Sequence, residues 1–351
     1  MLVSYVMDIL YAGLAIIFML WALLPKICDS CGIKHDHPWV GAMVVGVVFE
    51  MVMGECTLPF KPMAMFMLSA AGKMLPLGDL PYVSYIVFML ITILVMTLLY
   101  LVILKFVLRV DLSAMKTVEI GQLISNETPM SSVQKFSGVL LVFFIAAMIL
   151  AGSSSLLPDC GLKTALSAIS TTGVSFLFFA FAVIFRVEGK PLLNTKKVAA
   201  QIPWEIVMLI AVINTVCPAV ASPDTGISTL LAQITAPILS GHSTIVFLFL
   251  LFALTIILTN FFNNTVIVML MLNILVSYYS VMELHLEMVI SLLILFSQIA
   301  FLLPASSMYG ALCHSQAEMC GVVNIYKSAI VLMIVALLTL ILAIPLGTLL
   351  Y

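Results

Sequence analysis

Charge is scarce in this sequence. Lysine and arginine number 14 and aspartate and glutamate 16 among 351 residues, so 9% of the chain is charged, against about 25% in a soluble domain. A folded domain of this size keeps a large wetted surface that so few charges cannot cover, which excludes a soluble globular enzyme. Net charge is −2; no basic field exists to attract a polyanion, and nucleic acid is excluded as a partner. Cysteines number 7, an odd count spread mainly through apolar stretches, which points to free thiols rather than a disulfide framework. The sequence also lacks H-E-x-x-H, G-x-S-x-G and paired intramembrane aspartates, so no intramembrane enzyme is expected.

What is present is apolar. Hydrophobic residues make up 64% of the chain and mean hydropathy is +1.27, so lipid is the solvent for most of the surface and the fold class is an all-α integral membrane protein. Runs long enough to cross a bilayer lie at 2–24, 39–58, 82–108, 137–152, 164–185, 204–221, 286–303 and 326–350. Lys105, Arg109 and Lys116 lie in one connecting segment, and Arg186, Lys190, Lys196 and Lys197 in another. Two spans separate these segments, and the positive-inside rule places both in the cytoplasm.

Three places interrupt the apolar pattern. The stretch 243–280 holds two runs, each slightly short of a crossing, around Thr259-Asn260-Phe261-Phe262-Asn263-Asn264-Thr265; it predicts a re-entrant hairpin with a polar tip. The strings GECTLPFKPMA at 54–64 and FLLPASSMYGA at 301–311 each put Leu-Pro before small or polar residues, and each precedes a long span. Proline removes a backbone donor, so both predict helices broken at membrane depth, and matching breaks in two halves are the sign of inverted repeats. The expected divisions are a first span and cytoplasmic loop at 1–38, a first-repeat segment at 39–136 and a second repeat at 137–351. That second repeat contains the hairpin 243–280 and a broken helix within 286–325.

The strings LTNFFNNTVIVMLML at 258–272 and QIAFLLPASSMYGAL at 298–312 resemble the second hairpin and second broken helix of the divalent anion:sodium symporters, within the ion transporter superfamily. Ile202-Pro203-Trp204-Glu205, followed by Asp224-Thr225-Gly226, is similar to the family's I-x-W span and the turn after it. The break at 54–65 occupies the place of the family's first broken helix. The resemblance runs from about residue 40 to the C-terminus. It departs from the family in lacking Pro-Pro-Asn at either break and a Ser-Asn-Thr tip ahead of residue 40, which marks an N-terminally short or diverged member.

What the resemblance implies is a secondary transporter, likened to family members that couple sodium, or an exchanged anion, to the movement of dicarboxylate, citrate or sulfate. A homodimer, a multi-pass location in a prokaryotic plasma membrane, and no cofactor beyond sodium as coupling ion come with it. Asn263, Asn264 and Ser306 are the expected sodium ligands, and Lys61, Asn264, Thr265 and Ser307 the expected substrate contacts. Two further readings stand beside this one: a transport-incompetent remnant of the same fold, and another branch of the superfamily that moves arsenite, metal–citrate, or sodium and protons.

Lys61 lies where the family has Ser or Thr. A lysine at membrane depth is costly unless paired, so it is read as a fixed charge that replaces a sodium or binds an anion, as the partner of Glu55 or Glu50, or as a chain snorkelling to the interface. Those two glutamates are read as partners of Lys61 or Lys73, with proton coupling as the alternative. Asp8, near a span end, is expected at the interface. Cys28-x-x-Cys31 with His35 and His37 offers four zinc-type ligands, but His-x-His lacks the usual spacing, and a solvated loop with reduced thiols is the competing reading.

Overall fold

A computed structural model of the chain describes residues 1–10, 15–34, 36–77, 80–106, 131–154, 157–158, 161–187, 189–201, 208, 223–226, 230, 233, 243–279 and 285–351. The chain divides into two compact units. Within the described residues it is helical apart from one short antiparallel pair, β1 (Arg186–Val187) with β2 (Lys190–Pro191). Four helices are long and apolar enough to cross a membrane: Pro38–Thr57, Tyr82–Phe106, Ser132–Gly152 and Val322–Leu350.

The larger unit opens with α1 (Leu2–Leu10), α2 (Ala15–Cys31) and α3 (Pro38–Thr57). His37 caps α3 by accepting the Trp39 amide, with Pro38 pre-setting the first turn. The helix stops at Leu58-Pro59, and α4 (Pro62–Met74) begins with Pro62 directly after Lys61. The long α5 (Tyr82–Phe106) follows. Toward the C-terminus come α9 (Thr244–Thr259) and α10 (Asn264–Tyr278), then α11 (Leu286–Phe296). A non-helical stretch at 297–307 leads to α12 (Met308–Ser315), the short α13 (Ala317–Cys320) and α14 (Val322–Leu350). At 1.5 Å per residue α5 is about 37 Å long, enough to cross the roughly 30 Å hydrocarbon layer, whereas α11 reaches only about 17 Å. A segment that ends there leaves its terminus at membrane depth.

Burial separates two kinds of apolar helix. In α3 nearly every residue is buried, and in α11 all but Glu287 are. By contrast α5 buries Tyr85, Phe88, Met89, Thr92, Ile93, Met96, Thr97 and Tyr100 and exposes Leu90, Ile91, Leu94 and Leu98. That is a helical stripe facing inward and an equally apolar stripe facing out, as expected of a helix set against lipid.

The smaller unit contains α6 (Ser132–Gly152), α7 (Gly161–Ile184), the β1–β2 turn and α8 (Thr195–Gln201). Ser131 and Gln134 form a capping box at the start of α6. Ser170 interrupts α7 with φ 59°, a left-handed conformation uncommon for a residue with a Cβ.

One expected span is described only in part and another is corrected. Of the run 2–24, α1 covers Leu2–Leu10 and α2 begins at Ala15, and residues 11–14 lie outside the described residues. The run 286–303 is helical only to Phe296, since Ser297 and Gln298 begin a stretch whose carbonyls bond to side chains. The expected span 204–221, apart from residue 208, and the string 202–205 lie outside the described residues.

Candidate functional site

Polar side chains gather at the two interruptions. At the first, α1 crosses α3 closely: a Cβ on Gly54 would stand 2.9 Å from Asp8 Cβ and Oδ2. This approach lets Ser4, Tyr5 and Asp8, which share one face at i, i+1 and i+4, reach across. Ser4 Oγ donates to the Val47 carbonyl at 2.8 Å. Tyr5 and Thr57 hydroxyls lie 2.9 Å apart, and since Thr57 donates to Met53 O, Tyr5 is the donor. Lys61, capping position of α4, donates to Asp8 Oδ2 at 2.6 Å and to the Asp8 carbonyl.

The Lys61–Asp8 pair is buried, with residue exposures of 8% and 0%. Asp8, expected near a span end at the interface, has its side chain buried inside the protein. Its place on α1 puts it under the first break, where it supplies the partner for which Glu50 and Glu55 were the expected candidates. Glu50 accepts from Thr97 Oγ1 at 2.8 Å, and Glu55 Oε2 accepts from Tyr309 at 2.8 Å.

The second interruption is held by neutral groups. Asn260, at the end of α9, donates through Nδ2 to the carbonyls of Ile256 and Ile299, both at 2.7 Å, and accepts the Leu302 amide at 2.8 Å. Thr259 donates to Ser297 O at 2.7 Å and stands 2.9 Å from Asn264 Oδ1. Asn264 Nδ2 donates to Gln298 Oε1 at 3.2 Å. Ser306 bonds the Leu303 carbonyl and Ser307 the Ala300 carbonyl, both at 2.7 Å, and Ser307 Oγ caps α12 by accepting the Gly310 amide at 2.9 Å. His314 Nε2 lies 3.0 Å from Leu302 O. A non-helical backbone with few water contacts needs such partners for its orphaned groups, and here side chains supply them.

The two breaks meet. The Tyr309–Glu55 bond joins the first turn of α12 to the last turn of α3, across 254 residues of sequence. Cys56 Sγ contacts Ile294 O at 3.9 Å, and Ser297 Oγ approaches Met67 Sδ at 3.8 Å. Two helix N-termini, of α4 after Lys61 and of α12 after Ser307, thus begin in this region; such ends favour anions through their amides and dipole.

Not all the expected residues join this cluster. Lys61 lies at the first break, and Ser306 and Ser307 at the second. Asn264 is buried beside Gln298. Asn263 is exposed and caps α10 by accepting the Thr265 amide at 2.9 Å, and Thr265 is half-buried. Asn260, Thr259, Gln298, Asp8 and Tyr309 were not anticipated. The i, i+4 polar stripe on α1 was the available signal for Asp8, and the Asn-rich string already contained Asn260.

Of the zinc-type set, Cys28 is buried, Cys31 is half-buried, His37 is engaged as the cap of α3, and His35 lies outside the described residues. Among the described residues no three His, Cys, Asp or Glu side chains are grouped to hold a metal ion.

Fold and site together define an all-α membrane protein whose polar residues converge where two interrupted helices meet. No family model matches the sequence, and no curated protein does.

Proposed function

We propose that the protein is a secondary active transporter of small anions, worked by alternating access, with its site where the two breaks meet. The observation that carries this reading is the Tyr309–Glu55 bond between the broken helices, beside the buried Lys61. The order of elements supports an inverted repeat. A helix pair, a broken helix and a long helix occur as α1–α2, α3–α4 and α5, and again as α9–α10, α11–α12 and α14. Repeats of that kind place substrate between discontinuous helices.

The charges support a coupled cation. Lys61 contributes one positive charge, while Asp8 and Glu55 contribute two carboxyl groups. With Glu55 ionised, an anion entering beside Lys61 needs a companion cation to offset the second carboxylate, and sodium serves that purpose. Asp8 already occupies Lys61 as a carboxylate and so stands in for the carboxylate of a bound substrate. In this reading a di- or tricarboxylate or sulfate competes with Asp8 for Lys61, with the amides of α4 and α12 assisting. The resemblance to the divalent anion:sodium symporters supports the substrate class, a homodimer and a prokaryotic plasma-membrane location.

Thermal unfolding of purified protein tests the reading. Sodium together with one of succinate, citrate or sulfate is expected to stabilise more than either alone, a ligand at a hundredfold excess over its Kd adding about 2.7 kcal/mol over the ligand-free protein. No shift with any of the three, with or without sodium, would count decisively against it.

A further inference from the structure

Glu50 is left over by the proposed site. It lies inside α3 with no exposed surface, on the side facing α1 and α5. Its neighbour Thr97 sits 2.8 Å from Glu50 Oε1 and also 2.9 Å from the Ile93 carbonyl. A threonine hydroxyl has one hydrogen, so it cannot donate to both. If Glu50 were ionised, one of these two close oxygen contacts would lack a proton. If Glu50 is the neutral acid, it donates to Thr97, Thr97 donates to Ile93 O, and both contacts are satisfied. The other carboxyl oxygen, Oε2, has no hydrogen-bond partner among the described residues. An uncharged oxygen tolerates that position far better than a carboxylate does.

Glu50 also lines a cavity of about 210 Å³, with Leu2 and Tyr5 from α1 and Leu90, Leu94 and Thr97 from α5. Leu2, Leu90 and Leu94 are exposed at its outer side, whereas Tyr5 and Thr97 are buried with Glu50. Apart from the polar groups at its inner end the walls of this space are apolar, so it stays dry while α1 and α5 hold their present positions. The titratable groups interacting with Glu50 are the amino group of Met1 and the Tyr5 phenol from the α1 side, and the Tyr100 phenol from α5.

We propose that Glu50 is a proton-binding site, neutral in this conformation, which exchanges its proton only when α1 and α5 part from α3 and admit water. The proton then passes from Oε1 to the admitted water and leaves as hydronium. Thr97 then turns its hydrogen from Ile93 O to the new carboxylate, and reprotonation reverses both moves. That this exchange links transport to the proton gradient rests on the transporter reading; the protonation itself does not.

Two measurements separate these claims. Infrared spectra of membranes containing the protein at neutral pH should show a carboxylic-acid C=O stretch that is missing in Glu50→Gln. Glutamine keeps a donor to Thr97, so this variant retains the fold. Identical spectra in that region overturn the proposal. In proteoliposomes, an imposed proton gradient should drive accumulation of succinate, citrate or sulfate by the wild type and not by Glu50→Gln. Equal accumulation by both overturns the coupling. A wild type that carries none of the anions but shows the acid band refutes the transporter reading and leaves Glu50 as a proton site.

Discussion

The first break is closed by charge and the second by neutral hydrogen bonds. At 58–61 the chain turns abruptly, and its buried cation is answered by an aspartate from a different helix. At 297–307 the chain runs longer, and amides and hydroxyls from the hairpin and from the break itself take up its backbone groups. Both solve the same problem, an interrupted helix inside an apolar body, but by different physics. A neutral network is satisfied by its own members and fixes geometry. A buried ion pair is costly to form and costlier to leave half-made, so its groups are the ones able to exchange partners with a charged ligand. The second break is therefore held as a fixed frame, and the first holds the groups able to change partners.

Substitutions can break this comparison, the largest effect coming first. Lys61→Met or Asp8→Leu alone leaves a buried charge unanswered and should cost about 3–5 kcal/mol of stability, while the double variant recovers most of that loss. Denaturant unfolding in detergent measures all three. Were the singles no worse than the double, the first break would not be held by charge.

At the second break, Asn260→Ala strips partners from Ile299 O and Leu302 N. A loss of about 2–3 kcal/mol is expected in the same assay, given about 1–3 kcal/mol for each buried group left unpaired. Unlike the first break, no compensating second substitution should restore it, because the orphaned groups are backbone.

Smaller effects come from the glycines. Gly54→Ala pushes a methyl toward Asp8 and Tyr5 O, parting α1 from α3 at a cost of about 1–2 kcal/mol. Gly72→Ala, on an exposed part of α4 with nothing within 4 Å of the added methyl, should instead raise stability by up to about 1 kcal/mol through helix propensity. Opposite signs for the two alanines, read from melting temperatures, would show that the α1–α3 crossing requires its glycine.

Much of the architecture was legible in residue order. Leu58-Pro59 and the Pro304 region announced the breaks, and the amide-rich string announced the hairpin tip. Which helices lie at the centre was not legible. A lipid-facing stripe is as apolar as a core stripe, so α5, with one face out, reads like α3, which has almost none. The separate surroundings of the tip amides were not legible either. Asn263 and Asn260 are chemically alike, but Asn263 precedes α10 and caps it outward, whereas Asn260 ends α9 and points into the second break. Adjacent identity cannot tell a helix start from a helix end. Asp8 was not legible as the partner of Lys61, because the two lie 53 residues apart and only the folded crossing of α1 and α3 brings them together.

Counterflow in proteoliposomes tests the central claim, that the meeting of the two breaks is an anion transport site, most directly. Vesicles loaded with unlabelled succinate, citrate or sulfate should take up the labelled form of at least one. Tyr309→Phe, which removes the bond to Glu55, should lower that exchange at least about tenfold, as loss of a hydrogen bond to a charged group predicts. Absence of exchange with all three anions, or full exchange in both Tyr309→Phe and Lys61→Ser, would contradict the account.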